Sequence, residues 1–493
     1  MIERYADQQI TQIFSDRNKT TLWDETELAV IEASRNLGRF PRVVYDVISK
    51  ALKANPVDLE WWKQRDGVIH HDLNAYIEER QRSIPPHLQR FFHQDMTSFD
   101  TEEPAFARML NAAVNVVWEH LDKLEGVLVP LARRHRHSAM IGRTHGQGGD
   151  CESFGKRVLT WIKDLRTART SLRDASVYLR YSKLSGAMGN YGGIPPEVER
   201  EALKILGLVP YVGATQIMPR VLYAPVATAL CGIVLVIHKI GIDIRLMARS
   251  PKPICQEPFA KKQKGSSAMP HKKNPINTEQ LEGMARMAQG FNAMIMQNVP
   301  TWEERAIEQS SVERVAWPDL FHVTVRALTV LTKVVSGLKV YPDNMLWELV
   351  ESRGCYAASR VKEVLKEMGG DRWNDAEEAY RLVQLAAFNV FEPSDWARQM
   401  REMPRDSFSF ADQFLFKPES LERPYETIRE VIAEGRLRVS EELEASAEHV
   451  ERWNGILGEI FAVPENRQRW EEYFNLSVLL EHESHLFREI LGE

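Results

Sequence analysis

Cysteine is scarce: four residues in 493, Cys151, Cys231, Cys255 and Cys355, lie far apart with no C-x-x-C pair. That argues against a disulfide-stapled scaffold or a cysteine-built zinc site, and reads as the reduced thiols of a cytoplasmic protein. Blocks of like charge are missing too, 63 basic and 69 acidic residues being interspersed for a net charge of -6. Neither a nucleic acid nor a membrane surface is therefore expected as a partner. Period-two runs bounded by turn residues are almost absent, which speaks against a β fold. Long apolar runs are few. The exception, Val221 to Ile237, carries Pro225 and ends at His238 and Lys239; it is short for a crossing and fits a helix buried inside a bundle. The opening MIERYADQQI has charges where a signal peptide needs an apolar core, so no targeting segment is expected. No set of His, Cys and carboxylate ligands stands at metal spacing, and neither a metal nor a cofactor is expected.

What is present is helical periodicity. Apolar stripes at helical spacing run through Pro104–Arg136, Glu152–Tyr181, Ala224–Ala248, Thr278–Asn298 and Asp319–Val340. Five such stripes predict an all-α fold whose centre is an elongated five-helix bundle. Length suggests about three domains. Shorter helices broken at Asn55-Pro56 and Ile84-Pro85-Pro86 mark an N-terminal helical domain, 1–110. The long helices occupy 111–366, and a charged segment interrupted by Pro404, Pro418 and Pro424 forms a C-terminal helical domain, 367–493.

Between the stripes lie loops rich in chemistry. GSSAMPHKKNPI, Gly265 to Ile276, joins mobile backbone, free hydroxyls and a Met-Pro turn to the cation of Lys272 and the amide of Asn274. Such a loop can wrap a small dicarboxylate. Lys261, Lys262 and Lys264 alone would be an ordinary basic surface. GRTHGQ, Gly142 to Gln147, sets His145 among small and polar neighbours, where an imidazole can titrate and reach a ligand. His70-His71-Asp72 and HQDMTSFD, His93 to Asp100, have the form of helix starts with caps. GDCESFGKR from Gly149 is no phosphate loop: five residues separate its glycines where four are needed, and Arg157 stands where Ser or Thr should be.

Taken together these strings resemble the fumarase/aspartase superfamily. The loop at 265–276 matches its signature G-S-S-x-M-P-x-K-x-N-P, and GRTHGQ is similar to its G-x-T-H-x-Q segment. The pair HHD and HQDMTSFD resembles R-H-D and H-x-G-L-T-S-S-D of the adenylosuccinate lyase branch, with His70 at the arginine position and Asp95 at the glycine position. Arg4-Tyr5, Gln216 in GATQIMPR, and Arg305, Ser310 and Arg314 in WEERAIEQSSVERVAWPD follow in the same order. Ala306, Glu308 and Gln309 depart from the branch pattern R-D-I-S-H-S-S, and the likeness fades after about residue 390.

The resemblance implies β-elimination of fumarate from a succinylated purine nucleotide. Removing a proton beside a carboxylate builds charge that fixed cations, amides and hydroxyls must meet, without any need for a metal. By resemblance Ser266 is the base, His145 the acid at the leaving nitrogen, Glu279 the carboxylate orienting that histidine, and His71 a further polar contact. Arg4, Tyr5, His70, Asp72, Thr97, Ser98, Gln216, Lys272, Asn274, Arg305, Ser310 and Arg314 are implied to bind substrate. The family also implies a homotetramer with a 20-helix core and sites shared between subunits. The competing expectations are another lyase or cycloisomerase of the superfamily on a different succinyl-type substrate, and a catalytically silent scaffold.

Overall fold

The structure is a computed structural model, and it describes residues 1–391, 426–440, 443 and 445–493. The five sequence stripes are five long helices: Ser98–Arg134, Phe154–Ser176, Ala224–Met247, Ile276–Met296 and Glu308–Ser336. The remaining described elements are helices of at most 21 residues and six short strands. The chain folds as two compact units: Met1–Leu128 with Trp161–Ala248 and Gln256–Lys339, and Val129–Thr160 with Arg249–Cys255 and Val340–Glu493.

The first unit is built on the long helices. Ala227, Leu230, Val234, Ile237 and Ile244 bury one stripe of the helix Ala224–Met247 at three- and four-residue spacing. That helix packs against both Ile276–Met296 and Glu308–Ser336. Arg166 and Arg169 reach across to Glu125 and Asp122 of the helix Ser98–Arg134, each at 2.6 Å. The apolar run at 221–237 lies within the segment Arg220–Met247, which is long and apolar enough to cross a membrane by length and composition, yet 61% of its most apolar stretch is buried.

Two helix boundaries differ instructively from the sequence reading. The last long helix begins at Glu308 instead of Asp319 and runs through Pro318. Proline inside a helix removes one backbone bond, here freeing the carbonyl of Arg314. The first long helix begins at Ser98, where Asp100 turns back to accept from the Thr97 amide at 2.9 Å. Around these helices the first unit adds a shell in which Trp23, on the Ser15-capped helix Asp16–Asn36, meets Tyr76 and Trp62 edge to face.

In the second unit Val361, Leu365, Leu382, Leu457 and Trp470 lie in one apolar core. Glu378 is buried there and accepts from the Trp453 indole at 2.8 Å. The unit also carries an antiparallel hairpin, Ala139–Thr144 with Gln147–Ser153, where the sequence pattern suggests a loop. Thr144 pairs with Gln147, and the two residues between them, His145 and Gly146, have φ of 53° and 79°. Two successive left-handed residues make the tight turn that suits the twist of a hairpin, and glycine at the second relieves its strain. Ala139 and Ile141 pack on Leu349 and Leu480, while Arg143 pairs with Glu348 at 3.1 Å and Ser153 donates to Glu483 at 2.5 Å.

Candidate active site

A cleft of about 370 Å³ in the first unit gathers residues from four stretches of chain. Its wall includes His70, His71, Asp72, Ser98, Arg305 and Arg314, all singled out from sequence. Ser310 lines an adjoining cavity of about 270 Å³ that shares Asp72 and Arg314 with the cleft. Arg314 donates to Asp72 at 3.1 Å.

The two histidines owe their places to helix ends. His70 closes the helix Leu59–Ile69 in the left-handed region, at φ 53°. His71 caps the next helix, Asp72–Gln81, its Nδ1 accepting from the Asn74 amide at 3.2 Å. In the neutral ring the proton is then on Nε2, so the edge left for a ligand is a donor.

Behind the cleft runs a buried polar chain. Asp100 holds the Thr97 amide with one oxygen and the Lys183 ammonium with the other, at 2.9 and 2.7 Å, and both Asp100 and Lys183 are fully buried. Lys183 also donates to the Gln216 carbonyl at 3.0 Å, and the Gln216 side chain accepts from Arg305 at 3.3 Å. Thr97, Gln216 and Arg305 are thus linked through groups that sequence inspection did not single out. Arg305 lies 4.1 Å over the Phe99 ring, and its buried Nε has no hydrogen-bond partner among the described residues. Burial lowers its pKa from the ordinary arginine value. An anion would satisfy that donor.

The left-handed backbone also explains a departure from the family pattern. Asp95, at the glycine position, has φ 63°, a conformation Asp tolerates better than most residues. A Cβ on Gly193 would fall 2.4 Å from the Asp95 carbonyl, so this turn is tightly enclosed.

The signature loop folds upon itself in the first unit. A Cβ at Gly265 would stand 1.9 Å from the Lys272 carbonyl, so only glycine allows the two strands of the loop to close. The Ser266 hydroxyl accepts from the amides of Ala268 and Met269 at 3.3 and 3.1 Å. At the loop's base Glu257 accepts from the Thr278 amide at 3.1 Å and from the Asn277 amide at 3.2 Å, pinning the start of the helix Ile276–Met296. Glu279 is exposed on the first turn of that helix, and Lys272 is exposed with Asn274 half-buried on the loop. None of these loop residues lines the cleft. Arg4 and Tyr5 form a short turn near the N-terminus, followed by Asp7, whose amide donates to His322 at 3.0 Å. His145 is exposed at the hairpin tip of the second unit.

Sequence reasoning missed Asp16, Lys19 and Glu102 as cleft residues. No group of three or more His, Cys, Asp or Glu suited to a metal occurs among the described residues.

Fold and loop together define a lyase of the fumarase/aspartase type. A family model described as a lyase matches residues 7–290, and the chain belongs to that family. Its relatives there include adenylosuccinate lyases: that of Thermotoga maritima is 36% identical over 391 residues, 79% of this chain and 89% of that protein. That of Aquifex aeolicus is 34% identical over 392 residues, 80% and 89% respectively. Among solved structures, a fumarate lyase from Mesorhizobium sp. BNC1 shares the fold with TM-score 0.71 at 21% identity, covering 93% of this chain and 99% of that one. The 3-carboxy-cis,cis-muconate lactonizing enzyme from Pseudomonas putida does so with TM-score 0.72 at 21% identity, covering 95% and 98%.

Proposed function

We propose that the chain is an adenylosuccinate lyase, converting adenylosuccinate to AMP and fumarate and cleaving the succinyl-carboxamide intermediate of purine synthesis by the same elimination. The observation that carries this reading is the 36% identity to an adenylosuccinate lyase along most of the chain. The cleft adds chemical support, since it joins two guanidinium groups for anions to two histidines.

In this reading Ser266 removes the proton from the carbon beside the succinyl carboxylate. The two amides directed at its Oγ favour an alkoxide there. The electron pair left on carbon forms the fumarate double bond as the C–N bond breaks, and His145, oriented by Glu279, protonates the departing nitrogen. Lys272, Asn274, Thr97 and Ser98 hold the carboxylates while charge accumulates. Arg4, Tyr5, Gln216, Arg305, Ser310 and Arg314 hold the nucleotide, with His70, His71 and Asp72 close to the leaving group. The site uses neither cofactor nor metal.

A homotetramer with shared sites belongs to the same proposal, as do the segments 1–110, 111–366 and 367–493 as domains and a cytoplasmic location. In support of association, Leu235, Ile242 and Leu246 recur on one face of a core helix, and each is exposed in the single chain. The test is release of fumarate from adenylosuccinate by the purified protein. Turnover that disappears in Ser266→Ala and His145→Ala supports the reading. No turnover, or turnover undiminished in Ser266→Ala, overturns it.

A further inference from the structure

Glu102 belongs to both cavities. It stands on the first long helix, one turn after Ser98, on wall shared by the polar cleft and the adjoining cavity lined by Phe14, Trp23, Phe99 and Phe106. Its carboxyl makes no hydrogen bond or ion pair among the described residues, although Arg305 and Arg314 line the same cleft and interact with it electrostatically. An acidic side chain kept half-buried in this cleft, yet unpaired there, is poorly explained by stability: a carboxyl partly withdrawn from water without a partner costs free energy.

Charged and titratable groups surround it on several elements, and Lys63, Asp66, His70 and His71 line the same cleft from the helix Leu59–Ile69 and the turn after it. Lys19 and Asp16 face the shared wall from the helix Asp16–Asn36, Asp72 from the helix it begins, Arg305 from its loop, and Arg314 and Glu313 from the last long helix. Glu103 and Arg220 complete the wall of the adjoining cavity. Burial pushes the Glu102 carboxyl up to about 8, with Asp72 adding to the rise and Arg305, Arg314 and Lys19 opposing it. It is therefore largely a neutral acid at pH 7, able both to donate and to accept.

We propose that Glu102 is a specificity-determining residue that hydrogen-bonds the sugar hydroxyls of the substrate. This rests on the reading of the site as one for a succinylated purine nucleotide. A phosphate bound by Arg305 and Arg314 has the sugar as its covalent neighbour, and the sugar is the uncharged part of a nucleotide richest in hydroxyls. Glu102 lines the cleft beside both guanidiniums and repels any second anionic group once ionised. A neutral carboxyl beside a phosphate also avoids the repulsion that a carboxylate would cause.

The experiment compares adenylosuccinate with its 2′-deoxy and 3′-deoxy analogues, using the full-length protein and Glu102→Gln and Glu102→Ala variants whose folding is checked by circular dichroism. The proposal expects the wild type to prefer the ribo substrate over at least one analogue by roughly tenfold in kcat/KM, the value of a hydrogen bond or two. Glu102→Ala should reduce that ratio towards one. It further expects KM for the ribo substrate to rise as pH passes about 8 in the wild type, and that rise to vanish in Glu102→Gln. A ratio near one in the wild type, or a ratio unchanged in both variants, overturns the role of Glu102. A wild type inactive on all three compounds overturns the functional reading itself.

Discussion

Arg314 donates to the carboxylate of Asp72 at 3.1 Å, joining residues 242 positions apart across the wall of the cleft. Arg314 is 60% exposed in this pair, so water screens it and its contribution to stability is about 0–1 kcal/mol. Its value is geometric: it orients a guanidinium that would otherwise sample many directions. Arg314→Ala is expected to leave thermal unfolding nearly unchanged while raising KM for adenylosuccinate roughly tenfold or more. Equal losses in Tm and affinity would contradict that division.

Lys183 and Asp100 behave differently because both are fully buried. Removing one partner strands the other charge away from water, at a cost of about 3–5 kcal/mol. Lys183→Met is expected to lower Tm by many degrees and, by releasing the Thr97 turn and the Gln216 carbonyl, to weaken substrate binding in the protein that still folds. Denaturant titration with kinetics on the same samples checks both.

The signature loop supplies a contrast between chemistry and shape. Ser266→Ala removes the proposed base and is expected to lower kcat by about 10²–10⁴ with an unchanged circular dichroism spectrum. Gly265→Ala places a methyl group on the Lys272 carbonyl and is expected to lower kcat as well, by displacing the loop. If Gly265→Ala retained full activity, the closed form of the loop would not be the working one.

His93 and Glu27 give a pH dependence of stability. Burial lowers the His93 pKa, but the charge of Glu27 and their bond at 2.7 Å outweigh it, leaving the folded value above the ordinary 6.5. A histidine raised on folding contributes stability that is fully present below its unfolded pKa and is lost as pH rises through the folded one. Unfolding by urea should therefore show a loss of stability on going from about pH 6 to pH 8, and His93→Asn should remove that part of the loss.

The long helices were legible because their apolar stripes persist over many turns, and a pattern of that length has few alternatives. The start at Glu308 was not, since Pro318 reads as a boundary until neighbouring helices are seen to hold the chain helical through it. GRTHGQGGD reads as a loop because its glycines hide a period-two pattern, although His145-Gly146 carries the left-handed pair that a hairpin turn requires. His71 was visible both as a cap and as a ligand, and it performs the first role with Nδ1 while leaving Nε2 for the second. Lys183 and Glu102 were not visible at all. A lone acid or base in a helical sequence says nothing about which cavity it will face, and only long-range packing decides that.

The chemistry proposed here differs from hydrolysis in the bond it breaks and in the products it must give. Proton NMR of adenylosuccinate incubated with the protein tests it most directly. Elimination predicts AMP and fumarate appearing in equal amounts, at a rate lowered about 10²–10⁴-fold by Ser266→Ala. Aspartate and IMP in their place, or unchanged adenylosuccinate, would contradict it.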